Sequence, residues 1–130
     1  MNTVGQYRDL LENTEDRLQR MKYHIFSPYR VCTLGAHVDH QHGLVTGFAI
    51  DKGVDLWFDV SEGSKVVLDS ETFSGHVEFD IVTPALVKQG DWGDYARGAM
   101  FALQKRFKLQ RGITGVVKGS IPVGGLSSSA

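Results

Sequence analysis

After Met21 the spacing of apolar residues changes, and with it the range of folds open to the chain. Val4, Tyr7, Leu10, Leu11, Leu18 and Met21 recur near helical spacing among Arg, Asp and Glu, with Thr3 as a candidate N-cap. The spacing predicts an amphipathic helix over 3–21. From Ile25 onward the apolar residues come in short runs bounded by turn residues, the pattern of strands. Val45–Ile50 and Val54–Val60 flank Asp51-Lys52-Gly53, which reads as a hairpin with glycine at the turn. Lys65–Leu68 and His76–Ile81 read as two further strands, turned at Ser74-Gly75. Asp91-Trp92-Gly93-Asp94 opens a second helix, with Asp91 as its cap and Asp94 in the first turn, where a carboxylate favours the helix dipole. Trp92, Tyr95, Ala99, Ala102 and Leu103 fall largely on one face of it, and Lys105, Arg106 and Lys108 crowd its end. Ile113–Lys118 reads as a last strand. Helix, strands, helix, strand is an α+β order, one mixed sheet with packed helices, and the hairpins argue against a doubly wound parallel sheet.

At 130 residues the chain is one domain's worth, or part of a larger one. A formal net charge of −1 gives no electrostatic case for nucleic acid or an anionic membrane. No apolar run reaches membrane-spanning length, and Met1-Asn2-Thr3-Val4 leads into charged sequence rather than a signal peptide. Cys32 is the one cysteine, so no internal disulfide forms. The expectation is a cytoplasmic protein whose partners are small molecules.

Two segments carry chemistry. The first runs from Tyr29 to Gly43 and places Arg30, His37, Asp39, His40 and His42 close together, which a buried strand would not tolerate without partners. In extended backbone, positions 37 and 39 share a side and would aim an imidazole and a carboxylate at one ligand. Carboxylates accept hydroxyl hydrogen bonds, and arginine binds phosphate or carboxylate in a two-pronged way. A metal site from His37, Asp39, His40 and His42, or simply a histidine-rich exposed turn, are the competing readings. The second segment is Gly124-Gly125-Leu126-Ser127-Ser128-Ser129-Ala130. Its glycines let amides approach an anion, its serines cap a helix or bind the anion, and a following helix would add its positive end. A glycine turn followed by a serine linker fits the same residues, which lack both the Lys-Ser/Thr of a Walker loop and a Gly-x-Gly-x-x-Gly.

Together the two segments resemble a known family. Ser-Pro-Tyr-Arg-Val-Cys-Thr-Leu-Gly-Ala-His-Val-Asp-His-Gln-His-Gly (27–43) is similar to the galactokinase signature, approximately Gly-Arg-Val-Asn-Leu-Ile-Gly-Glu-His-Thr-Asp-Tyr-Asn-x-Gly. Ile121–Ala130 resembles the phosphate loop of the wider GHMP small-molecule kinases, Pro-x-Gly-x-Gly-Leu-Ser-Ser-Ser-Ala, and Trp92, Tyr95 and Gly98 resemble their Trp-x-x-Tyr-x-x-Gly stretch. The resemblance covers residues 25–130. It implies the N-terminal half of a GHMP kinase, related to the second domain of a ribosomal S5-type protein, with residues 1–130 as an incomplete substrate and ATP-binding domain. The implied reaction transfers the ATP γ-phosphoryl group to a sugar's anomeric hydroxyl with Mg²⁺. By position, Arg30 looks like the arginine near the reacting oxygen, where it would stabilise charge as the phosphoryl group moves. His37 and Asp39 look like sugar-hydroxyl binders, and Gly124, Gly125, Leu126, Ser127, Ser128 and Ser129 like the phosphate loop, with the Ser128 hydroxyl as a candidate Mg²⁺ contact. The catalytic aspartate of the family is expected beyond Ala130, so the chain alone is expected to be inactive.

The departures from the family pattern bear on substrate. Ala36 stands where galactokinases have a glutamate that accepts from the sugar's C6 hydroxyl. Losing a hydrogen bond to a charged group costs about 1.5–3 kcal/mol. Conversely, a carboxylate there would repel a sugar whose own C6 is a carboxylate. His40 replaces a tyrosine and adds a donor facing that position, and the whole run is nearer plant-type galacturonokinases than galactokinases proper. The expectation is a galacturonate kinase; a galactose kinase and a non-catalytic binder of sugar and nucleotide are the alternatives. Cys32 replaces an asparagine and reads as a small buried residue. Between Pro122 and Leu126 stand three residues where the family has four, which alters the amides offered to phosphate.

Overall fold

The computed structural model describes residues 15–35, 38–82 and 88–121. Of the helix predicted over 3–21, residues 15–20 are helical (α1) and the part before residue 15 lies outside the described residues. Five strands follow: β1 (Tyr23–Leu34), β2 (Thr46–Val60), β3 (Lys65–Ser70), β4 (Val77–Asp80) and, after helix α2 (Asp94–Arg106), β5 (Ile113–Gly119). They form one sheet in the order β1-β2-β5-β3-β4. Neighbours run antiparallel except β3 and β5, which are parallel, so the sheet is mixed and the fold α+β.

The predicted β3, β4 and β5 are present within a residue or two. Their short apolar runs are bounded by turn residues, including Gly75 at φ 79° between β3 and β4. Val66, Leu68, Val77, Phe79 and Ile81 are buried together on one face, with Leu56, Trp92, Ala96, Met100, Leu109 and Ile113 packed against them. Each such side chain contributes about 1.5–3 kcal/mol through burial. On the other face α1 crosses the strands: Arg17 pairs with Asp69 at 2.7 Å, and Leu18 and Val116 are buried. His24 pairs with Asp55 at 2.7 Å and stacks on Trp57 with ring centres 4.7 Å apart.

Three expectations need correction. Asp51-Lys52-Gly53 is not a hairpin turn; β2 runs through it unbroken. Pro28 faces Gly53 and Arg30 faces Ala49, so Tyr29 alone stands opposite Ile50, Asp51 and Lys52. The turn-forming residues make an irregularity within a strand, a use glycine shares with turns. Gly53 is there for close approach, since a Cβ would overlap the Ser27 carbonyl oxygen and the Phe26 ring. At α2 the N-cap is Gly93, without a side-chain cap, and the Asp91 carboxylate is instead drawn to the buried Arg97 guanidinium. The face of α2 turned to the core carries Trp92, Ala96 and Met100, while Tyr95, Ala99, Ala102 and Leu103 are exposed. Trp92 belongs to both stripes, both of which fit helical spacing, and it is the stripe continued by Ala96 and Met100 that packs on the core.

Candidate functional site

The Tyr29–Gly43 segment divides between an exposed edge strand and the loop that joins it to β2. β1 pairs with β2 alone and is otherwise solvated, which explains how a strand carries Arg30. The prediction of extended backbone at 37 and 39 fails on the described part: Asp39–Gln41 forms a single 3-10 turn. The loop is shaped by its glycines. Gly35 takes φ 82°, and a Cβ on it would strike the Leu44 carbonyl oxygen; a Cβ on Gly43 would run into Val38. The Val38 N–H donates to Gly35 O (3.1 Å), and Val38 O accepts from Gln41 N–H (3.1 Å) and Gly43 N–H (2.9 Å). His42 follows in the left-handed region at φ 60°, which histidine tolerates better than branched residues. Thr33 and Thr46 close the neck of the loop, hydroxyl to hydroxyl at 2.9 Å, and Cys32 Sγ donates to Leu34 O at 3.3 Å.

Arg30 is exposed, and beyond the backbone pairing of β1 with β2 its side chain makes no hydrogen bond or ion pair to another described residue. His40 is exposed, with its Nε2 accepting from the Gln41 side-chain amide at 3.2 Å. Ala36, His37, the Asp39 side chain and Gly124–Ser129, with the Ser128 hydroxyl, lie outside the described residues. No group of three or more His, Cys, Asp or Glu among the described residues is placed to hold a metal ion.

The topology brings the roots of the two segments near each other. β5, which leads to the glycine-rich segment, and β1, which carries Arg30, are the two neighbours of β2. At Gly53 all three meet: Pro28 faces it from β1, and Ser120 bonds to it from the end of β5. The Tyr29 hydroxyl crosses the same boundary and would stand 3.3 Å from a Cβ on Gly119. Sequence reasoning passed over Tyr29 and Ser120. The signal that points to them is a glycine within a strand pattern, which marks close backbone approach as readily as a turn. A cavity of about 240 Å³ lined by Arg17, Arg20, Met21, Asp59 and Thr114 lies at the opposite end of β2 from the hairpin loop. No helix among the described residues is long and apolar enough to cross a membrane.

No family model matches the chain. A galacturonokinase of Arabidopsis thaliana is 42% identical to it, over 82% of this chain and 30% of its own length. A galactokinase of Thermococcus kodakarensis is 38% identical over 82% of this chain and 29% of its own. The crystal structure of Lactococcus lactis galactokinase complexed with galactose superposes with a TM-score of 0.76 at 30% identity, over 95% of this chain and 33% of that one. Methanococcus jannaschii mevalonate kinase shares the fold, with a TM-score of 0.57 at 15% identity over 78% of this chain and 33% of its own. The chain thus spans about a third of the length of the relatives it matches.

Proposed function

Because this chain is a homologue of galacturonokinases and galactokinases and carries part of the GHMP kinase fold, we propose that it is the N-terminal part of a cytoplasmic ATP-dependent sugar-1-kinase acting on galacturonate. The observation that carries the choice of sugar is Ala36 in place of the family's glutamate. A carboxylate at that position would face the C6 carboxylate of a uronic acid. At about 4 Å two such charges repel by several kcal/mol at intermediate dielectric. Alanine removes the repulsion, and His40 in the same loop supplies a donor. The 42% identity to a plant galacturonokinase supports the same reading.

In this reading His37 and Asp39 bind sugar hydroxyls from the hairpin loop. Arg30, with its guanidinium not engaged by a described residue, stabilises charge on the phosphoryl group in transit. Gly124–Ser129 hold the ATP phosphates through backbone amides and hydroxyls. Magnesium, when bound with ATP, would neutralise phosphate charge. The described acidic and imidazole groups do not form a site for it, and Ser128 is proposed as a contact on the family resemblance alone.

The test is ADP release by the full-length protein with Mg-ATP, comparing D-galacturonate, D-glucuronate and D-galactose at equal concentration. Preference for galacturonate is expected. Preference for galactose keeps the kinase and discards the uronate argument. Silence on every sugar, with nucleotide still bound, turns the reading to a non-catalytic binding protein.

A further inference from the structure

Where β5 leaves the sheet, its last rung is closed by a side chain. Val54 and Gly119 form the final regular pair between β2 and β5. At the next position the Ser120 N–H donates to Gly53 O at 2.9 Å, as the ladder would continue. For the return bond, however, the Gly53 N–H donates to the Ser120 hydroxyl at 3.2 Å, where a regular rung would use the Ser120 carbonyl. The same hydroxyl donates to Gly53 O at 2.9 Å. A hydroxyl can do both at once, being one donor and an acceptor. Gly53 is buried, so its N–H needs that partner. Its remaining open side is closed by Ser27 and Phe26 of β1.

We propose that Ser120 is a positioning residue for nucleotide binding: its hydroxyl lets the chain depart from the sheet while holding its root to Gly53, and so fixes where the glycine-rich segment begins relative to Arg30 across β2. The proposal rests on reading Gly124–Ser129 as the nucleotide loop. Three residues, Ile121, Pro122 and Val123, separate Ser120 from Gly124. Slack at the root would have to be ordered again each time phosphate binds, and that ordering subtracts from affinity. Sugar contacts made from the β1–β2 loop would not feel it.

The experiment is calorimetric ATP titration of the full-length protein as wild type, Ser120→Ala and Ser120→Thr, with thermal unfolding and the KM for sugar measured alongside. Ser120→Ala is expected to weaken ATP binding about five- to tenfold. Ser120→Thr, which keeps the hydroxyl, restores it, and the sugar KM stays within twofold of wild type. Unchanged ATP affinity in Ser120→Ala, with the wild type binding normally, overturns this proposal alone. Loss of ATP and sugar affinity together with a lower unfolding temperature, unrescued by threonine, overturns it in favour of a general packing role. A wild type that binds no ATP overturns the nucleotide-loop reading and this proposal with it.

Discussion

In the proposed reading, alanine 36 and arginine 30 make separable demands on the substrate. If position 36 faces the sugar's C6 as proposed, Ala36→Glu places a carboxylate opposite it, and the effect depends on what C6 carries. For a uronate, charge repulsion of several kcal/mol is expected to lower kcat/KM about a hundredfold or more, while galactose, which donates a hydroxyl there, gains. The ratio of kcat/KM for galacturonate over galactose is the readout. A ratio that Ala36→Glu leaves unmoved would sink the charge argument. Arg30→Ala should behave differently, because the charge that Arg30 is proposed to meet develops during phosphoryl transfer. Its kcat is expected to fall about 10²–10³-fold with either sugar, with KM little changed. Since the Arg30 side chain is exposed and engages no described residue, the unfolding temperature should stay where it is. A large drop there would make the arginine structural instead.

Helix α2 shows what an element's sequence reveals and what it leaves open. Two carboxylates near its start, Asp91 and Asp94, fit the same N-terminal signal, and the choice between them depends on tertiary partners. Asp94 accepts from the N–H groups of Gln89 (2.9 Å) and Gly90 (2.8 Å), tying the preceding loop to the helix, and lies 3.4 Å from the buried Arg97. The Gln89 N–H foremost, then Gly90 and the Arg97 charge, hold the Asp94 carboxyl below its ordinary value. A depressed folded-state pKa means stability that is present above the unfolded value of about 3.9 and is lost as pH falls through the lower folded value. Urea midpoints of the wild type should therefore drop more steeply than those of Asp94→Asn below about pH 4. Parallel curves would show that the carboxylate charge contributes nothing. The strands divide along the same line. β3, β4 and β5 were legible because each is a short apolar run bounded by turn or polar residues. β1 was not, because an edge strand bearing Arg30 and Pro28 carries no alternation to read. The uninterrupted β2 was missed because Asp-Lys-Gly signals a turn and an in-strand irregularity alike. Of the candidate site, the residue types could be read from the sequence, but the tight loop held by Gly35 and Gly43 could not. Nor could the meeting of three strand segments at Gly53, since it depends on pairing between residues far apart in sequence.

Across the whole molecule, burial is lopsided. The buried apolar residues among those described are Leu18, Val66, Leu68, Val77, Phe79, Ile81 and Val116, drawn from α1, β3, β4, β5 and the turn after β4, with none from β1 or β2. The hairpin of β1 and β2 and its loop instead present Ile25 at 53% exposure, Phe48 at 54%, Leu34 at 69% and Leu44 at 96%. Apolar side chains so concentrated on one hairpin differ from the scattered exposure of an ordinary surface, and Leu34, Leu44 and Phe48 lie in or beside the loop that carries the proposed sugar contacts. Apolar surface of that kind should take up a dye such as ANS. Residues 1–130 prepared alone are therefore expected to bind the dye strongly and to release no ADP with any sugar, whereas the full-length protein should bind little dye. The hairpin is the specific source: Phe48→Ser with Leu44→Ser should reduce dye binding by residues 1–130 while leaving the helical circular-dichroism signal in place. Strong dye binding that these substitutions leave untouched would put the exposed apolar surface elsewhere. Enzyme-proportional ADP formation by residues 1–130 would show that the catalytic groups, and the cover the hairpin requires, are already within this third of the relatives' length.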